Sequence, residues 1–142
     1  MMEKDFVDLR YAKSESYRWA LEEILKDGKC PFCPENFKWH AKPELHSQGN
    51  WFITEATWPY ENAKYHFLII GREHKESFVE LSPNDLREIA FLVNAVTIQF
   101  AIPGAGLTLR FGDSEYTGAT VKHLHFHLIV PEKGKVVNFP IG

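Results

Sequence analysis

Three histidines alternate with apolar residues near the end of the sequence. His123, His125 and His127 are separated by single apolar residues, and Leu128 and Ile129 follow. Because side chains along a β-strand point to opposite faces in turn, this run predicts a strand with three imidazoles on one face, spaced by about 7 Å. Packing alone favours Val or Ile at such positions, since they are better strand formers. The row therefore indicates chemistry.

A row of neutral imidazoles suits either metal binding or nucleophilic attack. A third interpretation is that this face of the strand has a purely structural role. Imidazole is a common zinc ligand, but rings along a strand diverge over a span of about 13 Å, so only one or two of the three can bind one ion. A neutral imidazole also attacks phosphorus once a neighbouring group fixes its tautomer. Residues 112–120, just before the row, contain two glycines whose backbone can approach a phosphate, and the hydroxyl of Thr120.

The two cysteines form a second chemical motif, Cys30-Pro-Phe-Cys33. In a reducing compartment this spacing is typical of metal or redox work rather than of a structural disulfide. It lets both thiolates bind one tetrahedral zinc, which then needs two ligands from elsewhere. The alternative is a pair of buried thiols without metal. A thioredoxin-like role is less favoured, because the pair follows a predicted helix outside any βαβ pattern. His40 and His46 are reserve ligands.

The length, composition and charge of the chain limit the class of protein it can be. The 142 residues are 44% hydrophobic and 14% aromatic, which predicts a single domain over residues 1–142 with one real core. The net charge of −3 gives no basic surface for extended nucleic acid, although a single nucleotide in a pocket remains compatible. No apolar run approaches the roughly 20 residues that span a bilayer, and the N-terminus lacks the apolar region of a signal peptide. We therefore expect a cytoplasmic protein that does not bind membranes.

Two helices are predicted around these motifs. The first begins at Ser14, has apolar residues at helical spacing, and ends at Asp27-Gly28, so that residues 1–29 form a helical extension leading into the cysteine motif. The second begins with an N-cap at Ser82 and a proline at its first position. Its predicted apolar stripe is Leu86, Ile89, Ala90, Val93, Val96 and Phe100.

The strands are short and joined without regular βαβ alternation. We predict strands at residues 51–56, 65–70 and 107–111, followed by the histidine strand after a polar loop at residues 112–118. Residues 34–49 show no period and predict an irregular connection. This order favours an α+β domain with an antiparallel sheet of about five strands and two main helices.

The run His123-Leu-His125-Phe-His127-Leu-Ile resembles the signature of the histidine triad (HIT) superfamily, in which three histidines alternate with hydrophobic residues. Residues 65–74 resemble the family's earlier strand, where a histidine, here His66, opens an apolar run and a second follows eight residues later, here His74. The resemblance covers roughly residues 30–131 and implies a HIT-like fold.

The resemblance implies roles for the histidines. His125, in the middle of the triad, corresponds to a nucleophile that takes up a nucleoside monophosphate from the α-phosphorus of a nucleotide. His127 corresponds to a donor to the phosphate oxygens, and His66 to a supporting histidine near the site. The implied activity is that of a nucleotide hydrolase or nucleotidyltransferase that cleaves a phosphoanhydride or phosphoramidate bond through a nucleotidyl-histidine intermediate.

The resemblance to zinc-bearing relatives also implies a metal site. In that subtype a structural zinc is held by two cysteines, the histidine after the apolar strand and the first triad histidine. The corresponding residues here are Cys30, Cys33, His74 and His123. His123 is then structural, and two triad histidines remain for catalysis.

Substrate contacts are less well specified, because this chain departs from the family pattern. Gly118, Ala119 and Thr120 correspond to the phosphate-binding loop, but Ala119 and Gly112 stand where relatives often carry amide side chains. Asn62 is a candidate for binding the ribose. The chemistry is therefore better predicted than the base or the leaving group.

Two other functions stay open. A nucleotide-binding or scaffolding protein with little turnover is the main alternative, and a zinc-dependent interaction module is the other. Family members commonly pair as twofold dimers through the long helix and a sheet edge, and Phe91 and Leu92 lie off the predicted stripe. We therefore expect a homodimer that acts on a small nucleotide substrate.

Overall fold

A five-stranded antiparallel sheet carries the histidine motif near its centre. The computed structural model describes residues 6–7 and 14–142. The strands lie in the order β1-β2-β3-β5-β4, and every neighbouring pair is antiparallel. In chain order the elements are α1 Glu15–Asp27, β1 Glu44–Gln48, β2 Trp51–Glu55, β3 Ala63–Gly71, α2 Pro83–Gln99, β4 Gly106–Leu109, α3 Ser114–Thr117 and β5 His125–Pro131. The predicted α+β class is confirmed.

Helix α1 begins and ends where its sequence predicts. The Ser14 hydroxyl accepts a hydrogen bond from the Tyr17 amide at 3.1 Å, and Gly28 closes the helix with a left-handed φ of 69°. Leu21 and Ile24 are buried in a small apolar cluster on one side of the sheet. Residues 1–5 and 8–13 of the predicted N-terminal extension lie outside the described residues, and the single-domain organisation stays a prediction.

Helix α2 covers the opposite face of the sheet. Ser82 caps it and Pro83 occupies its first turn, as predicted. Ile89 and Val96 are buried in the main core, which also confirms part of the predicted stripe. Leu92 is fully buried there, so its predicted position off the main stripe is wrong, and Leu86, which is predicted to lie in the stripe, is 44% exposed.

Charged residues explain the error in the stripe. The buried line of α2 continues towards its N-terminus through Asp85 and Glu88 rather than through Leu86. The Asp85 carboxylate accepts the Trp51 indole N–H at 2.9 Å, and Glu88 accepts the Asn50 amide at 2.9 Å. Buried acids are stable where donors satisfy them, and hydrophobicity alone does not reveal such positions.

The Asp85 carboxylate is the best-satisfied acid of the described core. Besides the Trp51 indole, it accepts the Lys75 ammonium at 3.1 Å, and the amide and hydroxyl of Ser82 at 2.8 and 3.0 Å. Burial alone raises the pKa of this carboxyl, but the four donors outweigh burial and hold the pKa at about 2. The ionised form therefore stabilises the fold.

We expect Asp85 to make unfolding pH-dependent in acid. Because its folded pKa is about 2 against an ordinary 3.8, its contribution is complete only above about pH 5 and is lost as pH falls towards 2. The shift corresponds to at most about 2.5 kcal/mol. Urea unfolding at several pH values should show this loss in the wild type but not in Asp85→Asn. An equal pH dependence in both proteins contradicts the assignment, and Glu61→Gln, at an exposed acid, is the matched control.

The edge strand β1 is absent from the prediction, which made residues 34–49 irregular throughout. Its residues 44–48 pair with β2, from Glu44 opposite Thr54 to Gln48 opposite Trp51. Polar residues dominate this strand, so it carries no apolar alternation. The turn that follows needs glycine, because Gly49 has a φ of 56° and a Cβ there would clash with the Glu88 carboxylate.

The other boundaries differ by a few residues. Strand β4 ends at Leu109 rather than at residue 111, and the predicted polar loop at 112–118 contains the one-turn helix α3. Strand β2 pairs with β3 as the predicted hairpin-like pair. No helix among the described residues is long and apolar enough to cross a membrane.

Candidate active site

The histidine strand β5 starts later than predicted. His125 and His127 belong to it, whereas His123 lies two residues before it in a bend. The side-chain alternation persists: Leu124 and Phe126 pack into the main core under α2, and the histidines face the other side. The prediction of three histidines within one strand is therefore wrong for His123. Because His123 lies before the strand, its ring contacts different partners.

A cavity of about 170 Å³ lies on the histidine face of the sheet. His66, His125 and His127 share its wall with Gly118 and Thr120. Aromatic and aliphatic side chains form the rest of the wall, among them Tyr17, Leu21, Phe32, Trp39, Trp58 and Tyr60. The fold thus brings the three predicted catalytic histidines and two residues of the predicted phosphate loop into one site.

A backbone carbonyl fixes the tautomer of His125. Its Nδ1 lies 2.7 Å from the carbonyl oxygen of His123, and a carbonyl only accepts, so Nδ1 carries the proton. In the neutral ring the nucleophilic lone pair is then on Nε2. The edge of Phe32 packs against the ring at a centroid distance of 5.0 Å and limits its rotation.

A chain of hydrogen bonds fixes the tautomer of His127. The amide of Tyr60 donates to Nδ1 of His66 at 3.1 Å, so the proton of a neutral His66 is on Nε2. That Nε2 lies 2.8 Å from Nδ1 of His127, which must accept. A neutral His127 therefore carries its proton on Nε2, as a hydrogen-bond donor needs. Both rings are buried.

The remaining predicted substrate residues differ in position. The Thr120 hydroxyl is hydrogen-bonded to the Tyr17 hydroxyl, and burial raises the pKa of Tyr17. Ala119 does not line the cavity. Asn62 also lies outside the cavity wall, in a turn with a φ of 70°, and its side chain donates to the Val136 carbonyl at 3.1 Å.

Four potential metal ligands converge next to the active site. Cys30 and Cys33 come from the loop after α1, His74 follows β3, and His123 precedes β5. Their ligand atoms all lie within 4.8 Å of one another, so these residues can hold a metal ion. Cys30 and His123 are buried.

The spacing of these atoms suits a tetrahedral site. Bond lengths of about 2.0 Å to nitrogen and 2.3 Å to sulfur give ligand separations of about 3.3 Å for two nitrogens and about 3.5 Å for nitrogen and sulfur. Nδ1 of His74 and of His123 are 3.2 Å apart. Nδ1 of His123 is 3.3 Å from Sγ of Cys30 and 3.7 Å from Sγ of Cys33.

The outer nitrogens of both histidines are also held. Nε2 of His123 donates to the Gly71 carbonyl at 2.5 Å, and Nε2 of His74 donates to the Glu76 carboxylate at 2.6 Å. These contacts orient Nδ1 of each ring towards the cysteines, as is usual for metal-binding histidines.

Burial sets the protonation of the cluster. It lowers the pKa of His123 to about 4, so the ring is neutral and able to ligate at neutral pH. It also raises the pKa of Cys30 and raises that of Cys33 to about 12. Thiolates in this environment need a cation beside them, and the donor set of two thiols and two imidazoles fits zinc chemistry.

A family model for the HIT domain matches residues 61–134, which is more than half of the chain. The chain belongs to the HIT domain family. The matched region contains His66, His74 and the three histidines at 123–127, whereas helix α1 and the two cysteines precede it. The predicted family resemblance is thereby confirmed.

Solved structures of HIT proteins share the fold. A histidine triad nucleotide-binding protein from Candida albicans is 23% identical, with 80% of this chain and 82% of that chain covered and a TM-score of 0.63. A Zn-bound histidine triad family protein from Mycobacterium smegmatis is 17% identical, with 80% and 83% covered and a TM-score of 0.60. A HIT family hydrolase from Clostridium thermocellum is 23% identical, with 76% and 95% covered and a TM-score of 0.57. No curated protein matches significantly.

The candidate site also includes residues that the sequence did not single out. Arg110, just after β4, lines the cavity and donates to the Tyr60 hydroxyl at 3.1 Å. Its guanidinium also donates to the Pro140 carbonyl and lies over the Phe139 ring at 3.8 Å. These residues are distant in sequence and form no motif, so only the fold reveals them.

Proposed function

We propose that this HIT protein is a nucleotide hydrolase or nucleotidyltransferase that breaks a phosphoanhydride or phosphoramidate bond at the α-phosphorus. One observation carries the proposal: His125, with its lone pair on Nε2, lies beside His127, with its proton on Nε2, at a ring-centroid distance of 4.9 Å. A nucleophile next to a hydrogen-bond donor is what attack on a phosphate ester or anhydride requires.

The reaction has two steps. Nε2 of His125 attacks the α-phosphorus, a nitrogen–phosphorus bond forms, and the bond to the leaving group breaks. Nε2–H of His127 donates to the phosphate oxygens and stabilises the negative charge in the transition state. Water or another acceptor then attacks the same phosphorus and loses a proton to solvent, and His125 leaves as neutral imidazole. Gly118 and Thr120 are the loop residues to which we assign the phosphate, since both line the cavity.

We further propose that Cys30, Cys33, His74 and His123 hold a structural zinc. When bound, the ion supplies fixed positive charge and a cross-link between three segments of the chain. His123 would then connect the metal to the reaction, because its ring faces the cysteines while its carbonyl accepts from His125. Reduced thiols are needed for this site, which supports a cytoplasmic location.

The decisive experiment is a substrate panel. Purified protein is incubated with diadenosine tetraphosphate, adenosine phosphoramidate and a nucleoside diphosphate sugar, and products are separated by ion-exchange chromatography. Formation of a nucleoside monophosphate, or its transfer to an acceptor, supports the enzyme. The second candidate is a nucleotide-binding protein with little turnover. The Phe139 ring favours it, because this ring packs against His127 at a centroid distance of 5.1 Å and so lies beside the proposed phosphate donor. Nucleotide binding in calorimetry without any product would select that candidate.

His66 offers a test of the proposed proton arrangement. We expect His66→Leu to lower kcat by about 10²-fold, because His127 loses the donor that fixes its tautomer. His66→Gln should restore much of this loss, since its amide nitrogen can replace Nε2 of the imidazole. Steady-state kinetics over a pH range will show whether the two variants differ. Equal losses in both variants, with equal thermal stability, contradict the relay.

We also propose that the protein forms a homodimer. Phe91 and Ile98 on α2 are 51% and 81% exposed, and β4 is an edge strand whose Leu107 is 47% exposed. Pairing through this helix and edge would cover these apolar side chains.

A further inference from the structure

We propose that Arg110 is a specificity-determining residue that binds the negatively charged leaving group of the substrate. The inference rests on the proposed function and deepens it by naming a substrate class. That class is nucleotides in which the α-phosphorus is joined through oxygen to a further phosphate. Nucleotides with a neutral amine leaving group gain nothing from this residue.

Arg110 lies on the wall of the cavity that contains the reacting histidines. Its Nη2 donates to the Tyr60 hydroxyl at 3.1 Å, and the Tyr60 ring is stacked on the His127 ring with a centroid distance of 5.8 Å. Phe139 also contacts both groups, since its ring centroid is 3.8 Å from the guanidinium and 5.1 Å from that of His127. One layer of aromatic side chains thus separates the guanidinium from the proposed phosphate donor. A phosphate attached to the α-phosphorus would lie within reach of both groups.

No carboxylate of the described residues lies beside the charge of Arg110 or forms a salt bridge with its guanidinium, although this residue is half-buried. Its hydrogen bonds go to a neutral hydroxyl and a neutral carbonyl. Arg72 shows the usual arrangement, since it forms a bidentate pair with Glu44 at 3.0 and 3.1 Å. Cations that are partly withdrawn from water are normally paired, so an anionic ligand is the partner that the described wall of the cavity lacks.

The chain itself supplies a weak substitute for that anion. The Pro140 carbonyl accepts from Nε of Arg110 at 2.9 Å and also from Nη2, and the Phe139 ring covers one face of the guanidinium. A phosphate presents two charged oxygens to the same planar group and forms stronger, bidentate hydrogen bonds. Since Pro140 is exposed, a phosphate can replace its carbonyl without opening the core.

The same contact favours one leaving group in the transition state. When a phosphoanhydride breaks, the bridging oxygen keeps the electron pair and negative charge grows on the departing phosphate. Arg110 stabilises that charge in a partly desolvated site. When a phosphoramidate breaks, the nitrogen takes up a proton from solvent and leaves as a neutral amine, so no charge develops for Arg110 to stabilise.

The test compares two substrates with the same nucleotide and different leaving groups. We expect Arg110→Gln to lower kcat/KM for diadenosine tetraphosphate by about 10²-fold and to leave adenosine phosphoramidate almost unchanged. Arg110→Lys should recover part of the loss, because it restores the charge without the fork. Arg72→Gln is the matched control and should change neither reaction. Equal losses for both substrates in Arg110→Gln overturn the proposal.

A binding experiment keeps this result separate from the proposed function. Calorimetry with ADP and AMP measures how much the second phosphate adds to affinity. We expect ADP to bind more tightly than AMP in the wild type and this difference to vanish in Arg110→Gln. If the wild type turns over neither substrate, the enzyme proposal fails, but the affinities for ADP and AMP still show whether Arg110 forms an anion site. No preference for ADP in the wild type overturns the anion site, whatever the activity.

Discussion

Replacing His125 with alanine is expected to lower turnover by at least about 10⁴-fold, for polyphosphate and phosphoramidate substrates alike. The reason is that the variant lacks the atom that forms the bond to phosphorus, so both substrate classes lose the same step. The His125 ring is only partly buried, and the carbonyl of His123 can bind water in its place. Folding should therefore change little. Initial rates and thermal unfolding, measured on the same preparation, check both expectations.

Trapping the intermediate identifies the atom directly. Acid-sensitive phosphoramidates survive a brief quench at high pH, after which peptide mass spectrometry should locate a nucleoside monophosphate on His125. His46→Ala is the matched control, because His46 lies on β1 away from the cavity and pairs with Gln99. It should keep full activity and the label. Turnover by His125→Ala at the wild-type rate, or a label on another histidine, would assign the nucleophile elsewhere.

The sequence predicts the structure best where a short motif is compatible with only one local arrangement. The N-caps Ser14 and Ser82 lie at the predicted helix starts, because a short polar side chain before an apolar period satisfies the first amides. The cysteine spacing, together with the family resemblance, gave four ligand positions that the fold brings within 4.8 Å. Such signals depend on few residues, and tertiary contacts seldom override them.

The errors come from residues whose role depends on distant partners. Asp85 belongs to the buried stripe of α2 because Trp51 and Lys75 donate to it, and neither is near it in the helix. Strand β1 depends on pairing with β2 and has no apolar period of its own. Arg110 reaches the cavity through contacts with Tyr60 and with Pro140, thirty residues further along. No local pattern encodes these contacts.

His123 combines both cases and connects the proposed metal site to the candidate active site. Its place in the triad suggested a strand position like that of His125, but strand pairing with β3 begins only at His125. The bend at His123 turns its ring to Cys30 and leaves its carbonyl 2.7 Å from Nδ1 of His125. An ion bound there would hold the backbone that fixes the nucleophile.

This coupling gives the second large effect: Cys30→Ser should lose zinc, stability and activity together. Removing one of four ligands at a buried site is expected to cost several kcal/mol, which corresponds to a fall in Tm of about 10 °C. Turnover should fall as well, because the His123 carbonyl is no longer held in place. Elemental analysis, thermal unfolding and steady-state rates on one preparation test the three expectations.

A chelator and a histidine control distinguish a metal effect from a packing effect. Removing metal from the wild type should lower its Tm to that of Cys30→Ser, and adding zinc back should restore only the wild type, since a serine hydroxyl is a poor zinc ligand. His46→Gln should retain zinc, because His46 lies outside the cluster. Stoichiometric zinc in purified Cys30→Ser would refute the ligand set. An unchanged Tm after chelation would instead show that the four side chains stabilise this corner of the fold by packing alone, and the carbonyl of His123 would then be held by the hydrogen bond from its ring to Gly71.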